Sequence, residues 1–189
     1  MTYLREFTIN WQAFAAACIG MTAGTVSIYM NNIFSPHLIG EFGWSKSEFA
    51  LIGLTVIVSV IFLPIVGRLT DRYGMKRVAL TGVIGLPAIF LGLAFQPGSF
   101  AVFFALSVLQ MLVISSLAGI VVYGRLIVRG FERARGFALG LASCAAPLAT
   151  VVFTPLLSAF IEANDWRAGY VAMAVFAAVL GATALLIIP

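Results

Sequence analysis

The chain has eleven basic and seven acidic residues, and five of these fall in the short stretch from Gly67 to Arg77. This stretch has a single acid, Asp71, among four bases, which are Arg68, Arg72, Lys76 and Arg77. The Asp71 carboxylate can form an ion pair with Arg68 or Arg72, or with the later basic cluster from Arg129 to Arg135. The alternative is that these charges are solvated and only mark one side of a membrane.

A second group of polar side chains interrupts long apolar segments; it consists of Tyr29, Asn31, Asn32, Gln110, Tyr123 and Arg125. Polar groups that face a cavity can bind a solute, and an amide such as Gln110 is costly to bury without a partner or water. Asn and Gln can equally join helices by hydrogen bonds. Arg125 can bind a carboxylate with two parallel hydrogen bonds, or extend to the aqueous surface.

Enzyme chemistry has little support. Cys18 and Cys144 lie in apolar segments and lack the spacing of a zinc or redox site. The sequence has no Ser–His–Asp arrangement, no metal-ligand cluster and no phosphate-binding loop. His37, next to Pro36, can sense pH, or it is a solvated residue of an outer loop. We therefore predict no catalytic activity, no metal and no cofactor.

The composition is that of a polytopic membrane protein. Hydrophobic residues make up 62% of the chain and charged residues only 10%, whereas soluble domains are about 25% charged. The mean hydropathy is +1.09. The net charge of +4 does not indicate nucleic-acid binding, because the basic residues lie beside apolar segments long enough to span a bilayer.

We expect an all-α membrane protein with six transmembrane helices. A bilayer core needs roughly 20 apolar residues per helix, and the turn from Gln96 to Ser99 divides the longest uncharged stretch. The helices are expected at about residues 11–34, 49–67, 78–95, 100–124, 135–161 and 167–188. Ser45 and Glu48 have the spacing of a capping box, and Asn164 or Asp165 can cap the last helix.

Two glycine pairs predict close helix packing. Gly20 and Gly24 lie in the first predicted helix, and Gly136 and Gly140 lie in the fifth. Small residues at this spacing let backbones approach closely. We expect both pairs to pack within the chain rather than to form a dimer interface.

The basic residues predict the orientation. With the amino terminus inside, nine Lys and Arg residues lie on the cytoplasmic side, and only Lys46 and Arg167 lie outside. Such a bias marks the cytoplasmic side, so both termini are expected there.

Several segments then suggest a family. Gly67 to Arg77, GRLTDRYGMKR, resembles the signature loop between helices 2 and 3 of the major facilitator superfamily. Segments resembling its monocarboxylate-transporter and oxalate/formate-antiporter branch are Glu41–Ser47, Arg135–Gly140 and Asp165–Tyr170. Departures from that branch are the sequence Ser143–Pro147, which lacks its glycine pattern, and a first helix without a carboxylate.

The resemblance implies one six-helix half of a twelve-helix transporter, built as two inverted three-helix repeats. It also implies a cavity lined by helices 1 and 4. A cytoplasmic gating motif would consist of Gly67, Asp71, Arg72, Gly74, Lys76 and Arg77. The expected function is secondary active transport of a small organic solute, such as a monocarboxylate, by alternating access. The alternatives are a truncated, non-transporting fragment and a membrane scaffold or assembly protein.

The resemblance also implies four partners, which are the lipid bilayer, a small organic anion, a coupling ion and a second six-helix half. The second half would be a missing C-terminal half, a partner chain or a second copy. The expected location is the inner membrane of a bacterium.

Overall fold

The computed structural model describes residues 3–117 and 120–188, with side chains described for residues 5–114 and 122–188. Every regular element in these ranges is helical. The helices are α1 Tyr3–Ile9, α2 Trp11–Phe42, α3 Lys46–Leu51, α4 Thr55–Tyr73, α5 Met75–Ala94, α6 Phe100–Leu117, α7 Ile120–Gly130, α8 Arg135–Ala163 and α9 Trp166–Ile187. A 3₁₀ turn, Ile52–Leu54, joins α3 to α4.

Among the described residues, five helical segments are long and apolar enough to cross a membrane. They are α2, the continuous segment Lys46–Tyr73, α5, α8 and α9. The fourth predicted span, residues 100–124, corresponds to α6 and the start of α7. Among the described side chains its apolar part runs from Phe100 to Ile114, where that description stops, and residues 118 and 119 lie outside the described backbone.

The first long helix extends well beyond its predicted end near Phe34. It continues through Pro36 and His37 to Phe42, so His37 lies on a helix and the prediction of a loop there is wrong. Phe34 and Leu38 are fully buried on either side of Pro36, and this packing favours continuation of the helix. The helix ends at Gly43, whose left-handed backbone (φ 67°) lets its N–H donate to the carbonyl of Ile39.

The signature segment is also more helical than expected. Asp71 and Arg72 lie in the last turn of α4, and Lys76 and Arg77 lie in the first turn of α5. Only Gly74 separates the two helices, with φ 84° and ψ 154°. The prediction of a short loop is therefore replaced by a one-residue connection, which the positive φ of glycine permits.

The helices pack around α2, which contacts α6, α7, α8 and α9. Two clusters of buried side chains follow one another along the bundle. One includes Phe34, Phe90 and Tyr170, and the rings of Phe34 and Tyr170 stack at 3.9 Å between centroids. The other, which includes Tyr123 and Phe131, lies toward the end of the bundle that carries the signature segment; we call this the basic end.

The two glycine pairs behave differently. Gly20 is buried against Tyr123, and a Cβ at this position would lie 2.1 Å from the ring atom Cζ. Gly24 is buried as well. Gly136 and Gly140 are exposed on α8, where an added Cβ would meet nothing within 4 Å among the described residues. The expected intramolecular packing is therefore found for the first pair and not for the second.

The N-terminal caps of two helices, α3 and α9, are formed by residues that the sequence predicted. The Ser45 hydroxyl accepts a hydrogen bond from the N–H of Glu48, whose carboxylate accepts one from the N–H of Ser45. This is the predicted capping box. Asp165, one of the two residues expected to cap the last helix, accepts from the N–H of Ala168 at the start of α9.

Candidate functional site

The centre of the candidate site is a hydrogen bond between two amides on different helices. Asn31 of α2 donates from Nδ2 to Oε1 of Gln110 of α6, over 3.0 Å. Gln110 is completely buried, and its Nε2 has no hydrogen-bond partner among the described residues. Each buried donor left without a partner is costly, so this amide is a candidate for binding a ligand or water.

These two amides lie in the wall of a cavity of about 330 Å³. Asn32 and Ser107 add two further polar side chains, and the hydroxyl of Ser107 donates to the carbonyl of Phe103 in its own helix. Aromatic rings of Phe49, Phe103 and Tyr170 form much of the rest of the wall. None of the described residues that line the cavity carries a charge at neutral pH. We call this space the amide cavity.

The other candidate residues lie elsewhere. Tyr29 is half exposed on α2 and is not part of the wall of the amide cavity. Tyr123 is buried over Gly20, and its hydroxyl has no hydrogen-bond partner in the described part of the chain. Gly20 and Asn31 are eleven residues apart on α2, which corresponds to about 16 Å along the helix axis. The structure thus divides the predicted solute-binding group between two levels of the bundle.

Arg125 belongs to the basic end. Its guanidinium forms an ion pair with the carboxylate of Asp71 through Nη1 and Oδ1, and Nη2 lies 3.4 Å from Oδ2. The ion pair differs from the partners expected for Asp71, which were Arg68, Arg72 and the cluster from Arg129 to Arg135. It also differs from the roles expected for Arg125, at the surface or against an anionic solute. This pairing joins α4 to α7 with the two-point geometry that arginine and carboxylate favour.

A smaller cavity of about 140 Å³ lies beside this ion pair. Thr70, Gly74, Met75 and Arg129 line it together with the two paired residues. Gly67 lies one helical turn before Asp71 on α4. The remaining basic residues of the motif, Arg72, Lys76 and Arg77, are exposed, and the Arg72 guanidinium lies 5.4 Å from the centre of the Tyr73 ring.

Sequence reasoning missed the attachment of the amino-terminal helix α1 at the basic end. The buried carboxylate of Glu6 accepts hydrogen bonds from the backbone N–H groups of Ala134 (3.0 Å) and Arg133 (3.2 Å). The N–H of Ala134 is the main cause of a lowered Glu6 pKa. Asn10 donates to the carbonyl of Gly130 over 2.7 Å. The sequence gives no indication of the Glu6 contacts, because their backbone partners lie more than 120 residues away in the chain.

The opposite end of the bundle has its own polar contact. Glu41, near the end of α2, accepts hydrogen bonds from the indole N–H of Trp166 and from Nη2 of Arg167, the latter at 2.9 Å. The Arg167 guanidinium also lies 4.3 Å from the centre of the Trp166 ring. These contacts join the last turn of α2 to the first turn of α9.

The sequence family described as the Major Facilitator Superfamily matches residues 12–189. The chain belongs to the major facilitator superfamily. The match includes both the amide cavity and the Asp71–Arg125 pair. No curated protein matches the chain.

Major facilitator superfamily proteins are transporters, and the five membrane-length helices agree with an integral, multi-pass membrane protein. Membership therefore gives the chain the general role of a transporter rather than of an enzyme. The match is to the superfamily as a whole, so the monocarboxylate and oxalate branch is considered below as part of the proposal.

Proposed function

We propose that this chain is the amino-terminal half of a secondary active transporter that moves a small organic solute by alternating access. The observation that carries the proposal is the amide pair of half-buried Asn31 and fully buried Gln110 in the wall of a cavity between apolar helices. Polar groups inside a membrane bundle are costly, and they often face a substrate pathway or a water-filled cavity. The resemblance of three segments to one branch suggests a monocarboxylate as the solute.

The Asp71–Arg125 ion pair is the proposed gate at the basic end. It joins α4 to α7 and neither residue belongs to the described wall of the amide cavity, so it can open or close without touching the solute. Carboxylate and guanidinium are partly exposed, which keeps the pair weak enough to break in each transport cycle. Gly67, Arg72, Gly74, Lys76 and Arg77 complete this gating motif by resemblance.

The basic end is proposed to face the cytoplasm, with both termini on that side. Arg68, Arg72, Arg125 and Arg129 all lie at this end, and the positive-inside bias supports the assignment. Lys46 lies beyond α2, at the other end of the bundle. We propose the inner membrane of a bacterium as the location, and a coupling ion as the source of energy.

A second six-helix bundle is required to enclose the solute, whether as a carboxy-terminal half, a partner chain or a second copy. The segment Lys46–Tyr73, which contains α4, and the helix α8 are the least buried membrane-length segments of the described chain. Exposed Gly136 and Gly140 give α8 an open backbone that another helix can approach closely. We therefore propose these two helices as the surface against which the second bundle packs.

Uptake into proteoliposomes tests the transport proposal. The chain is reconstituted alone and together with a second half, and accumulation of radiolabelled acetate, pyruvate and oxalate is followed with and without a proton or sodium gradient. Empty liposomes serve as the control. Gradient-dependent uptake supports a transporter half, whereas no uptake under any of these conditions favours the alternatives of a non-transporting fragment or a membrane scaffold.

A further inference from the structure

The amide cavity differs from the site that the sequence suggested for an anionic solute. Arg125 is the counter-charge expected from the sequence, but its guanidinium is paired with Asp71 at the basic end. The described residues that line the amide cavity carry no formal charge. A carboxylate moved into such a cavity finds hydrogen-bond donors but no cation among these residues, and burying a charge without a counter-charge is costly.

The unpaired group in this wall is a donor. The Gln110 oxygen already accepts from Asn31, which leaves the Nε2 of Gln110 as the atom without a partner among the described residues. Because Asn31 donates to Oε1 of Gln110, the end of this amide that can still bind a solute is the donor Nε2.

On this geometry we propose that Gln110 is the residue that selects the solute, and that it does so by donating from Nε2 to an uncharged oxygen such as a carbonyl. This deepens the proposed function and rests on it. Asn31 is a positioning residue that keeps Gln110 in the donating orientation. The apolar rings of Phe49 and Phe103 pack against the carbon skeleton of the solute. Within a monocarboxylate solute, the amide cavity thus selects a carbonyl oxygen and an apolar body, and the carboxylate finds no counter-charge in the described wall.

The test uses three small probes with the same three-carbon skeleton. Pyruvate carries a carbonyl beside its carboxylate, propionate lacks that carbonyl, and pyruvamide keeps the carbonyl but has no charge. Binding is measured as protection of Asn32→Cys, in the exposed part of the cavity wall, from a membrane-impermeant thiol reagent. Cys18 and Cys144 are replaced by alanine in this background.

One hydrogen bond to an otherwise unpaired buried donor corresponds to roughly a tenfold preference. We expect pyruvate to protect at about one tenth of the propionate concentration, because propionate can reach Nε2 only with its carboxylate, and burying that charge without a counter-charge is costly. Pyruvamide should protect at least as well as pyruvate, because the described wall offers no counter-charge to a carboxylate. Gln110→Leu and Gln110→Met should both remove the preference for pyruvate over propionate. Asn31→Ala should reduce it, since the Gln110 amide can then reverse.

Gln96→Leu is the matched control. Gln96 is also a buried amide without a hydrogen-bond partner among the described residues, but it is not part of the wall of the amide cavity. This variant should keep the preference. A preference that survives in both Gln110 variants, or protection by pyruvate without protection by pyruvamide, overturns the proposal, as does a lack of protection by every probe.

The outcome also separates this proposal from the transport proposal. Gln110-dependent protection without uptake into proteoliposomes leaves the binding site in place and contradicts transport by this chain. Uptake that does not depend on Gln110 supports transport by this chain and contradicts the role of Gln110 in selecting the solute. Thermal unfolding of each variant in detergent confirms that it is folded, and the two Gln110 replacements differ in shape so that a folding defect in one does not decide the result.

Discussion

Arg125 of α7 and Asp71 of α4 form an ion pair at the basic end, although they are 54 residues apart in the sequence. The pair joins the last turn of α4 to a helix in the second half of the described chain. Since the side chain of Asp71 is 67% exposed, its carboxylate remains largely hydrated. The contact therefore contributes more to the arrangement of the two helices than to the stability of the fold.

Breaking this pair should affect transport more than stability. Asp71→Asn is expected to change the free energy of unfolding by less than about 1 kcal/mol, as is typical of exposed ion pairs. If the pair is the gate, uptake should fall by roughly fivefold or more, the ratio that corresponds to about 1 kcal/mol. Both effects can be measured on one preparation, by thermal unfolding in detergent and by uptake in proteoliposomes.

The double variant Asp71→Asn/Arg125→Gln is the control for this prediction. If the two residues act as a pair, the double variant should lose no more uptake than either single variant. If the fold-loss of uptake in the double variant equals the product of the fold-losses in the two single variants, the two side chains act independently. The proposed gating role of the Asp71–Arg125 pair would then be contradicted.

Gly20 should be intolerant of any side chain. An alanine Cβ at this position would lie 2.1 Å from Cζ of Tyr123, so the ring or the helix must move. Overpacking of this kind costs about 1–3 kcal/mol, and we expect Gly20→Ala to lower the melting temperature. Gly140→Ala is the matched control, because nothing in the described chain lies within 4 Å of its added Cβ. Equal melting temperatures for the two variants would contradict the close contact between α2 and α7.

The contact between α1 and the segment before α8 should depend on pH. The backbone N–H of Ala134 is the main cause of a Glu6 pKa below its ordinary value of 4.5. A lowered pKa in the folded state means that the unfolded chain binds protons first as the pH falls. The stabilisation is therefore present at neutral pH and is lost as the pH falls below about 4.5 through the folded pKa.

Hydrogen exchange of the Ala134 amide measures this effect directly. Protection should be high at neutral pH and should fall relative to other amides as the solution is acidified. Glu6→Gln should start with weaker protection and show little of this additional loss, since an amide does not titrate. An identical pH profile for the wild-type chain and for Glu6→Gln would show that the carboxylate is not responsible.

The proposed orientation predicts which residues a membrane-impermeant maleimide can reach from outside the cell. Ser47→Cys, beside the capping box at the opposite end, should react in intact cells. Lys76→Cys, in the first turn of α5 at the basic end, should react only after the membrane is permeabilised. Both positions are exposed in the structure, so a difference in reactivity reports the side of the membrane rather than burial. The reverse pattern would place the basic end outside.

The parts of the fold that depend on neighbouring residues could be predicted from the sequence. The Ser45–Glu48 capping box needs only four adjacent residues, and the Asp165 cap likewise involves only nearby backbone. The turn at Gln96–Ser99 also separates two helices as expected, since Pro and Gly act locally.

The contacts that define the candidate site join distant parts of the chain, and the sequence indicated them less well. Polarity in an apolar segment was enough to select Asn31 and Gln110, but not to show that they bind one another. The partner of Asp71 depends on how α4 packs beside α7, and several arginines were equivalent in the sequence. Glu6 gave no signal at all, because its partners are backbone N–H groups, which every residue except proline carries.

Gly74 has a mechanical consequence. It is the sole residue between α4 and α5, so any change in the angle between these two helices takes place about one point. Asp71 lies three residues from that point, or about 4.5 Å along the axis of α4. On so short a lever arm, a change of many degrees in the angle between the helices moves the Asp71 backbone by only an ångström or two. The connection thus converts a large rotation of a long helix into a displacement of the size that makes or breaks a single ion pair.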